Sequence, residues 1–214
     1  MSPLQKKIKV AVIVGEHDYD VPNFQKAFES LDGVECYYQN LLEFISSAKV
    51  TRNWYDVLVF YNYHLPTPPS GGDTKAVLDA LGETGQHILI LHHAVLAYPE
   101  WSKWSDICGM ADRSFKYHDG MNVDFKIVKN HPITEGVQDF SMVDETYEMK
   151  SAEGDDGNDV LITTDHPRSA KTILWTRTHK KSKVVCYSSG HDASAFADPN
   201  FRKLVENSIK WLMS

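Results

Sequence analysis

Short apolar runs alternate with stretches of helical periodicity through the first half of the chain. Lys7–Val14 reads as a buried strand, and Pro22–Leu31 places Phe24, Ala27, Phe28 and Leu31 at helical spacing. Asp32-Gly33 closes that helix, and Val34–Tyr38 is a second short strand. Asp56–Tyr61 is a third, rich in β-branched and aromatic residues. Pro66–Gly72 is a loop, after which Asp73-Thr74 caps a helix carrying Ala76, Val77, Leu78, Ala80 and Leu81. His87–Leu91 is a fourth strand, followed by a helix over Pro99–Cys108. Continuous apolar strands separated by helices predict a parallel sheet covered on both faces.

From Val123 the pattern shifts to shorter strands: Val123–Val128, Ser141–Met149, Val160–Thr164 and Lys171–Arg177. Val184–Ser188 is a last strand, and Asp198–Met213 a closing helix with Phe201, Leu204, Val205, Ile209 and Leu212 on one face. No repeat, low-complexity tract or linker interrupts residues 1–214. The expectation is one α/β domain: a mainly parallel sheet with helices on both faces and a β-rich insertion.

Charge narrows the partners. The net charge is −7 over 214 residues and no basic stripe occurs, which disfavours a nucleic-acid binder held by phosphate contacts. No apolar run approaches the ~20 residues of a membrane span. Lys6-Lys7-Ile8-Lys9 followed by Val10–Gly15 imitates a leader, but the apolar part is short and no small-residue cleavage site follows. Cys36, Cys108 and Cys186 are odd in number and form no CxxC, which fits a reducing cytoplasm.

The ten histidines are where the chemistry gathers. Ligands of a doubly wound sheet bind beyond the carboxyl ends of its strands. His17 follows the first strand, Asn62 and His64 the third, His92 and His93 the fourth, and His191-Asp192 the last. His92-His93-Ala94 stands where related folds carry a nucleophile elbow, yet holds neither Ser nor Cys. Acyl transfer through a covalent intermediate is therefore disfavoured, and Cys108 falls in a helix as a core residue. In Asp144-Glu145-Thr146-Tyr147-Glu148, strand alternation puts Glu145 and Tyr147 on one face and Asp144, Thr146 and Glu148 on the other. A carboxylate beside an aromatic ring suits acid–base work or sugar recognition. Trp101 and Trp104 read as core packing, with a sugar-stacking platform as the alternative. Neither GxGxxG nor a P-loop supports a nucleotide.

His92-His93-Ala94, Trp101–Trp104, Ile107-Cys108-Gly109 and Phe115–His118 resemble the trehalose-utilization (ThuA-like) proteins. So do His131–Thr134, Asp144–Tyr147, Ser189–Asp192, Pro199-Asn200-Phe201 and Ile209-Lys210-Trp211, in the same order, over about residues 88 to 212. Ile173–Arg177 departs by lacking a proline. The resemblance implies a flavodoxin-like, class I glutamine amidotransferase-like fold without the amidotransferase cysteine. It also implies a role in carbohydrate utilization, in a family linked with oxidised (3-keto) disaccharides. The positions it carries over are His92, His93, His118, Asp144–Tyr147 and His191-Asp192.

Three functions stand against one another. The first is acid–base chemistry on a sugar or keto-sugar by His92, His93, Glu145 and His191, with His17, Asn62, His64, Trp101, His118, Tyr147 and Asp192 binding substrate. The second is a metal-dependent enzyme on the same substrates, a divalent transition metal being held by histidines of the set His92, His93, His118 and His191 with Glu145. The third is a non-catalytic sugar- or protein-binding module. The expected partner is a small-molecule carbohydrate, with neither nucleic acid nor membrane, and a homo-oligomer is admitted.

Overall fold

The computed structural model describes residues 7–214; Lys6 of the Lys6–Lys9 run lies outside the described residues. The strands are β1 (Ile8–Gly15), β2 (Val34–Asn40), β3 (Val57–Asn62), β4 (His87–Leu91), β5 (Phe115–Ile127), β6 (Phe140–Met149), β7 (Asp159–Thr163), β8 (Thr172–His179) and β9 (Ser182–Tyr187). The helices are α1 (Val21–Glu29), α2 (Leu41–Ser46), α3 (Lys49–Arg52), α4 (Asp73–Asp79), α5 (Ser102–Cys108), α6 (Ala193–Ala197) and α7 (Pro199–Leu212). Two of them begin with both a side-chain cap and a proline. Asp20 accepts from Asn23 N at the head of α1, and Asp198 accepts from Asn200 N and Phe201 N at the head of α7, each with a proline in the first turn.

All nine strands join one sheet in the order β2-β1-β3-β4-β9-β8-β7-β5-β6. The first five are parallel and follow the flavodoxin-like order. The remaining four pairings are antiparallel, so the sheet is half parallel rather than mainly so. The expected insertion instead continues the same sheet. The reversal begins at the two-residue turn Lys180-Lys181, with Lys180 at φ 52°, which folds β8 directly back onto β9.

Alternation along the parallel strands feeds two cores. Val10, Val12, Val59, Tyr61, Leu89 and Val185 face α1, α6 and α7, against Phe24, Phe28, Phe196, Phe201 and Leu204. Ala11, Ile13, Leu58, Phe60, Ile90 and Cys186 face α2, α4 and α5, against Phe44, Leu78, Trp104 and Cys108. Each fully buried side chain of this kind stabilises the fold by roughly 1.5–3 kcal/mol, enough to fix every strand's register. The helix before Cys108 starts at Ser102 rather than Pro99, and α4 is capped by Gly72 without a side-chain bond rather than by Asp73-Thr74. Among the described residues no helix is long and apolar enough to cross a membrane.

Candidate functional site

β4 ends at Leu91, and His92 then takes φ 52° before a single 3-10 turn over His92–Leu96. A side chain in that left-handed region costs roughly 1 kcal/mol or more, and histidine is among the residues that tolerate it best. Strand, positive-φ residue and helical turn together form the geometry of a nucleophile elbow. Here the residue raised on it is an imidazole. The turn is held from beneath by buried Arg113, whose guanidinium donates to the carbonyls of Val95 (3.1 Å), Tyr98 (2.7 Å) and Ala97.

β6 supplies the acidic side of the site. Glu145 and Tyr147 point one way along the strand and line the cleft. Glu145 Oε1 lies 3.5 Å from His92 Nε2, and Glu145 Oε2 lies 3.7 Å from His191 Nε2. The Tyr147 hydroxyl sits 2.9 Å from His92 Nε2 and, close to the Glu145 carboxylate, works to lower its pKa. Asp144 points the other way. Its carboxylate accepts from Gly190 N (2.9 Å) and His191 N (3.0 Å), fixing the loop that carries His191. Gly190 itself has φ 113°, and a Cβ there would lie 2.6 Å from the Phe201 ring. Only glycine lets the loop pass so close to α7.

A bulge in β5 completes the arrangement. His118 pairs with Thr146 and Met121 with Asp144, so Asp119 and Gly120 together oppose the single residue Glu145. The bulge aims Asp119 into the cleft, 3.7 Å from His191 Nδ1. The cleft encloses about 340 Å³, with Tyr63, Phe115 and Tyr117 as aromatic walls. A larger hollow of about 470 Å³ below α2 and α4, at the opposite ends of the strands, carries no imidazole.

The four rim segments expected from the sequence do meet, but not every side chain turns inward. His17, His93, Glu145, Tyr147 and His191 line the cleft, and His92 lies beneath them, fully buried. His93 stacks on His17 with ring centroids 4.0 Å apart and places Nε2 3.1 Å from the Tyr61 carbonyl, facing away from Glu145. Asn62 is buried against His64, and the His64 ring stacks on Tyr98 behind the rim. His118 is a correction: strand alternation puts it on the opposite face of β5 from Tyr117, where it meets Glu148 at 3.1 Å. Trp101, at the head of α5, is buried beside Tyr98 with Lys75 over its ring, so its core-packing reading holds and its substrate-binding one does not. Asp192 caps α6 by accepting from Ser194 N and Ala195 N. Tyr63 and Phe115 were not signalled by the sequence. Tyr63 lies between Asn62 and His64 on a rim segment already marked, so alternation there could have found it.

Burial sets the electrostatics. It pushes His92 well below the ordinary imidazole range, aided by neighbouring His93 and His191, and takes His93 down to about 3. His17 is lowered for the same reason. Burial raises Asp144 to about 6 despite its backbone donors, and raises Glu145 against the hydrogen bond from Tyr147. Burial thus holds His17, His92 and His93 toward the neutral form beside a desolvated carboxyl group, with neither lysine nor arginine among the cleft residues.

The sequence model of the ThuA family, described as trehalose utilisation, matches residues 15–212. A comparison with curated proteins finds no match. Among solved structures, a ThuA-like protein from Parabacteroides merdae superposes with TM-score 0.75 at 16% identity, covering 98% of this chain and 91% of the other. A ThuA-like protein from Bacteroides uniformis gives 0.74 at 17% identity, covering 97% and 91%. PurLQS from Thermotoga maritima gives 0.60 at 14% identity, covering 96% and 99%. At these identities the likeness shows a shared, glutamine amidotransferase-like fold.

Proposed function

Because the chain belongs to the ThuA family of trehalose utilisation, we propose that its cleft takes a sugar or keto-sugar and transforms it by proton transfer, with no Ser or Cys nucleophile. The observation that carries this reading is the elbow. His92, at φ 52°, occupies the place of a nucleophile and faces Glu145 at 3.5 Å rather than a base–nucleophile pair. The cluster of His92, Glu145 and His191 is the proton-handling centre. A carbon beside a keto group is acidic enough for such a cluster to deprotonate, which opens elimination or isomerisation without a covalent intermediate. Tyr63, Phe115 and Tyr117 offer flat apolar faces to a pyranose ring. The three unpaired cysteines, two of them meeting in the core where Cys186 Sγ lies 3.8 Å from the Cys108 carbonyl, fit a reducing cytoplasm.

The test is turnover of oxidised disaccharides by the wild type and by Glu145→Gln. The substitution keeps shape and hydrogen bonding while removing the charge, so turnover falls at least ~100-fold with folding intact. Undiminished turnover removes Glu145 from the chemistry. Saturable sugar binding with no product from the wild type converts the reading to a sugar-binding module.

A further inference from the structure

We propose that His92 Nε2, His191 Nε2 and a carboxylate oxygen of Glu145 hold a divalent transition-metal ion of zinc size, with its open position turned toward the cleft. The site rests on the function proposed above for the substrate alone, and it moves the proton transfer from these three side chains, whose lone pairs the ion takes, to the ion's own bound water. The three side chains come from the elbow after β4, from β6 and from the loop after β9, and their ligand atoms lie within 4.8 Å of one another.

The spacing between them favours an ion over direct hydrogen bonds. Separations of 3.5 and 3.7 Å between imidazole nitrogen and carboxylate oxygen exceed a hydrogen bond. Two ligands each ~2.1 Å from a tetrahedral ion stand roughly 3.4 Å apart, against 3.5 Å from His92 Nε2 to Glu145 Oε1 and 3.7 Å from His191 Nε2 to Oε2, so the carboxylate turns one oxygen to each imidazole.

The surroundings orient both rings for the task. His92 Nδ1 lies 3.2 Å from the Ser188 carbonyl, which fixes the proton on Nδ1 and makes Nε2 the acceptor; the Tyr147 hydroxyl now stands 2.9 Å from that Nε2, and an ion bound there displaces it. His191 Nδ1 faces the Asp119 carboxylate that the bulge delivers, 3.7 Å away and beyond a direct hydrogen bond, while its Nε2 faces Glu145. A carbonyl or carboxylate behind each ligating imidazole is the usual support of a metal site. The arrangement also gathers two imidazoles around a carboxylate with neither lysine nor arginine among the cleft residues, a nitrogen and oxygen donor set of the kind that holds a dication. His93 and His118 fall out of the ligand set, since one faces the Tyr61 carbonyl and the other Glu148. Two imidazoles and one carboxylate leave room for a sugar oxygen and a water, so the ion would polarise a keto group while its bound water, having released one proton to solvent, would as hydroxide accept the proton from the adjacent carbon.

The experiment is a titration of chelator-stripped full-length protein with Co²⁺, read by visible absorption, and with Zn²⁺, read by calorimetry, without any sugar. His92 is fully buried and its variants risk misfolding, so the variants are His191→Ala and Glu145→Gln, with His118→Asn as the surface control. The expected result is one ion per wild-type chain with intense, tetrahedral-type Co²⁺ bands. Affinity drops about a hundredfold or more in H191A and E145Q and stays at the wild-type value in H118N. A wild type that takes up no ion overturns the site, as does H191A binding like the wild type. An ion that binds as expected to a protein inert toward every oxidised sugar leaves the site standing and overturns the substrate reading instead.

Discussion

The carboxylate of Asp144 receives the backbone N–H of His191 at 3.0 Å and of Gly190 at 2.9 Å, so β6 holds in place the loop that carries the most exposed member of the site cluster. The side chain next to it on the strand, Glu145, meets the imidazole of that same His191. One strand thus sets both the position of the loop and the chemistry at its tip. In Asp144→Asn only one oxygen remains to accept, and an amide N–H₂ turns toward a backbone donor. Loss of charge-assisted bonds in a buried place costs about 1.5–3 kcal/mol, offset in part because burial already disfavours the charge. Urea unfolding should show a lower midpoint, and turnover should fall with it. A variant equal to the wild type in both measurements would mean the loop is held by other contacts.

Gly190 makes the same loop sensitive to a single methyl group. With φ 113° and the Phe201 ring 2.6 Å from a would-be Cβ, Gly190→Ala is strained in backbone and in packing alike. We expect a loss of about 2–4 kcal/mol, in the range of strained-backbone and overpacked substitutions, and weaker Co²⁺ binding as His191 is displaced. Thermal unfolding together with the Co²⁺ titration checks this. Unchanged stability would show that α7 yields freely.

How much of this was legible beforehand differs residue by residue. The parallel half and its rim were readable because apolar runs such as Val57–Tyr61 and His87–Leu91 fix strand ends, and strand ends fix the rim. The pairing of Glu145 with Tyr147 followed from alternation alone. Asp119 stood beside a candidate histidine in the sequence, but its aim into the cleft was not readable, because a bulge is a mismatch between two strands and β5 carries no local mark of having two residues against one. His118 was misplaced for the same reason, as its face is set by the register with β6. The antiparallel half was hidden at Lys180-Lys181, a two-residue turn without the Asn-Gly or Asp-Gly signal that usually betrays a hairpin. Trp101 offered a plausible sugar platform in one dimension, but helix rotation in three dimensions buried it.

Arg113 is a second feature the sequence concealed, since nothing local says that an arginine in a polar loop will be buried under the elbow. Its guanidinium meets the carbonyls of Val95, Ala97 and Tyr98 and the Ser105 hydroxyl, and no carboxylate is among these partners. Arg113→Met keeps the length and removes the donors, leaving those carbonyls unpaired inside the protein. Each buried acceptor without a partner costs about 1–3 kcal/mol, so a total near 3 kcal/mol is expected after relaxation. Chemical denaturation gives the number. A loss below about 1 kcal/mol would show that water reaches the turn.

The pH dependence of stability should follow the buried imidazoles. His93 is pushed down to about 3, and His17 and His92 are lowered as well, all chiefly by burial. In the unfolded chain each takes up a proton near pH 6.5, so below that pH the unfolded state binds more protons and stability falls as pH falls. Asp144 works against them. Raised to about 6 from 3.8, its folded carboxyl holds a proton that the unfolded chain has released, so its contribution grows as pH drops from 6 toward 3.8. Glu145, also raised, acts in the same sense. Each group moves stability by at most ~1.4 kcal/mol per pH unit, and the lowered imidazoles, which also include His64, His87, His131 and His179, outnumber the two carboxyls. Chelator-treated protein should therefore lose stability steadily from pH 6.5 to 5 in urea titrations. His93→Gln removes one of the protons, and its slope over pH 6 to 5 should be shallower by close to one proton, approaching ~1.4 kcal/mol per unit. Parallel slopes would mean that His93 is already charged in the folded protein, and the neutral character of the site floor would have to be given up.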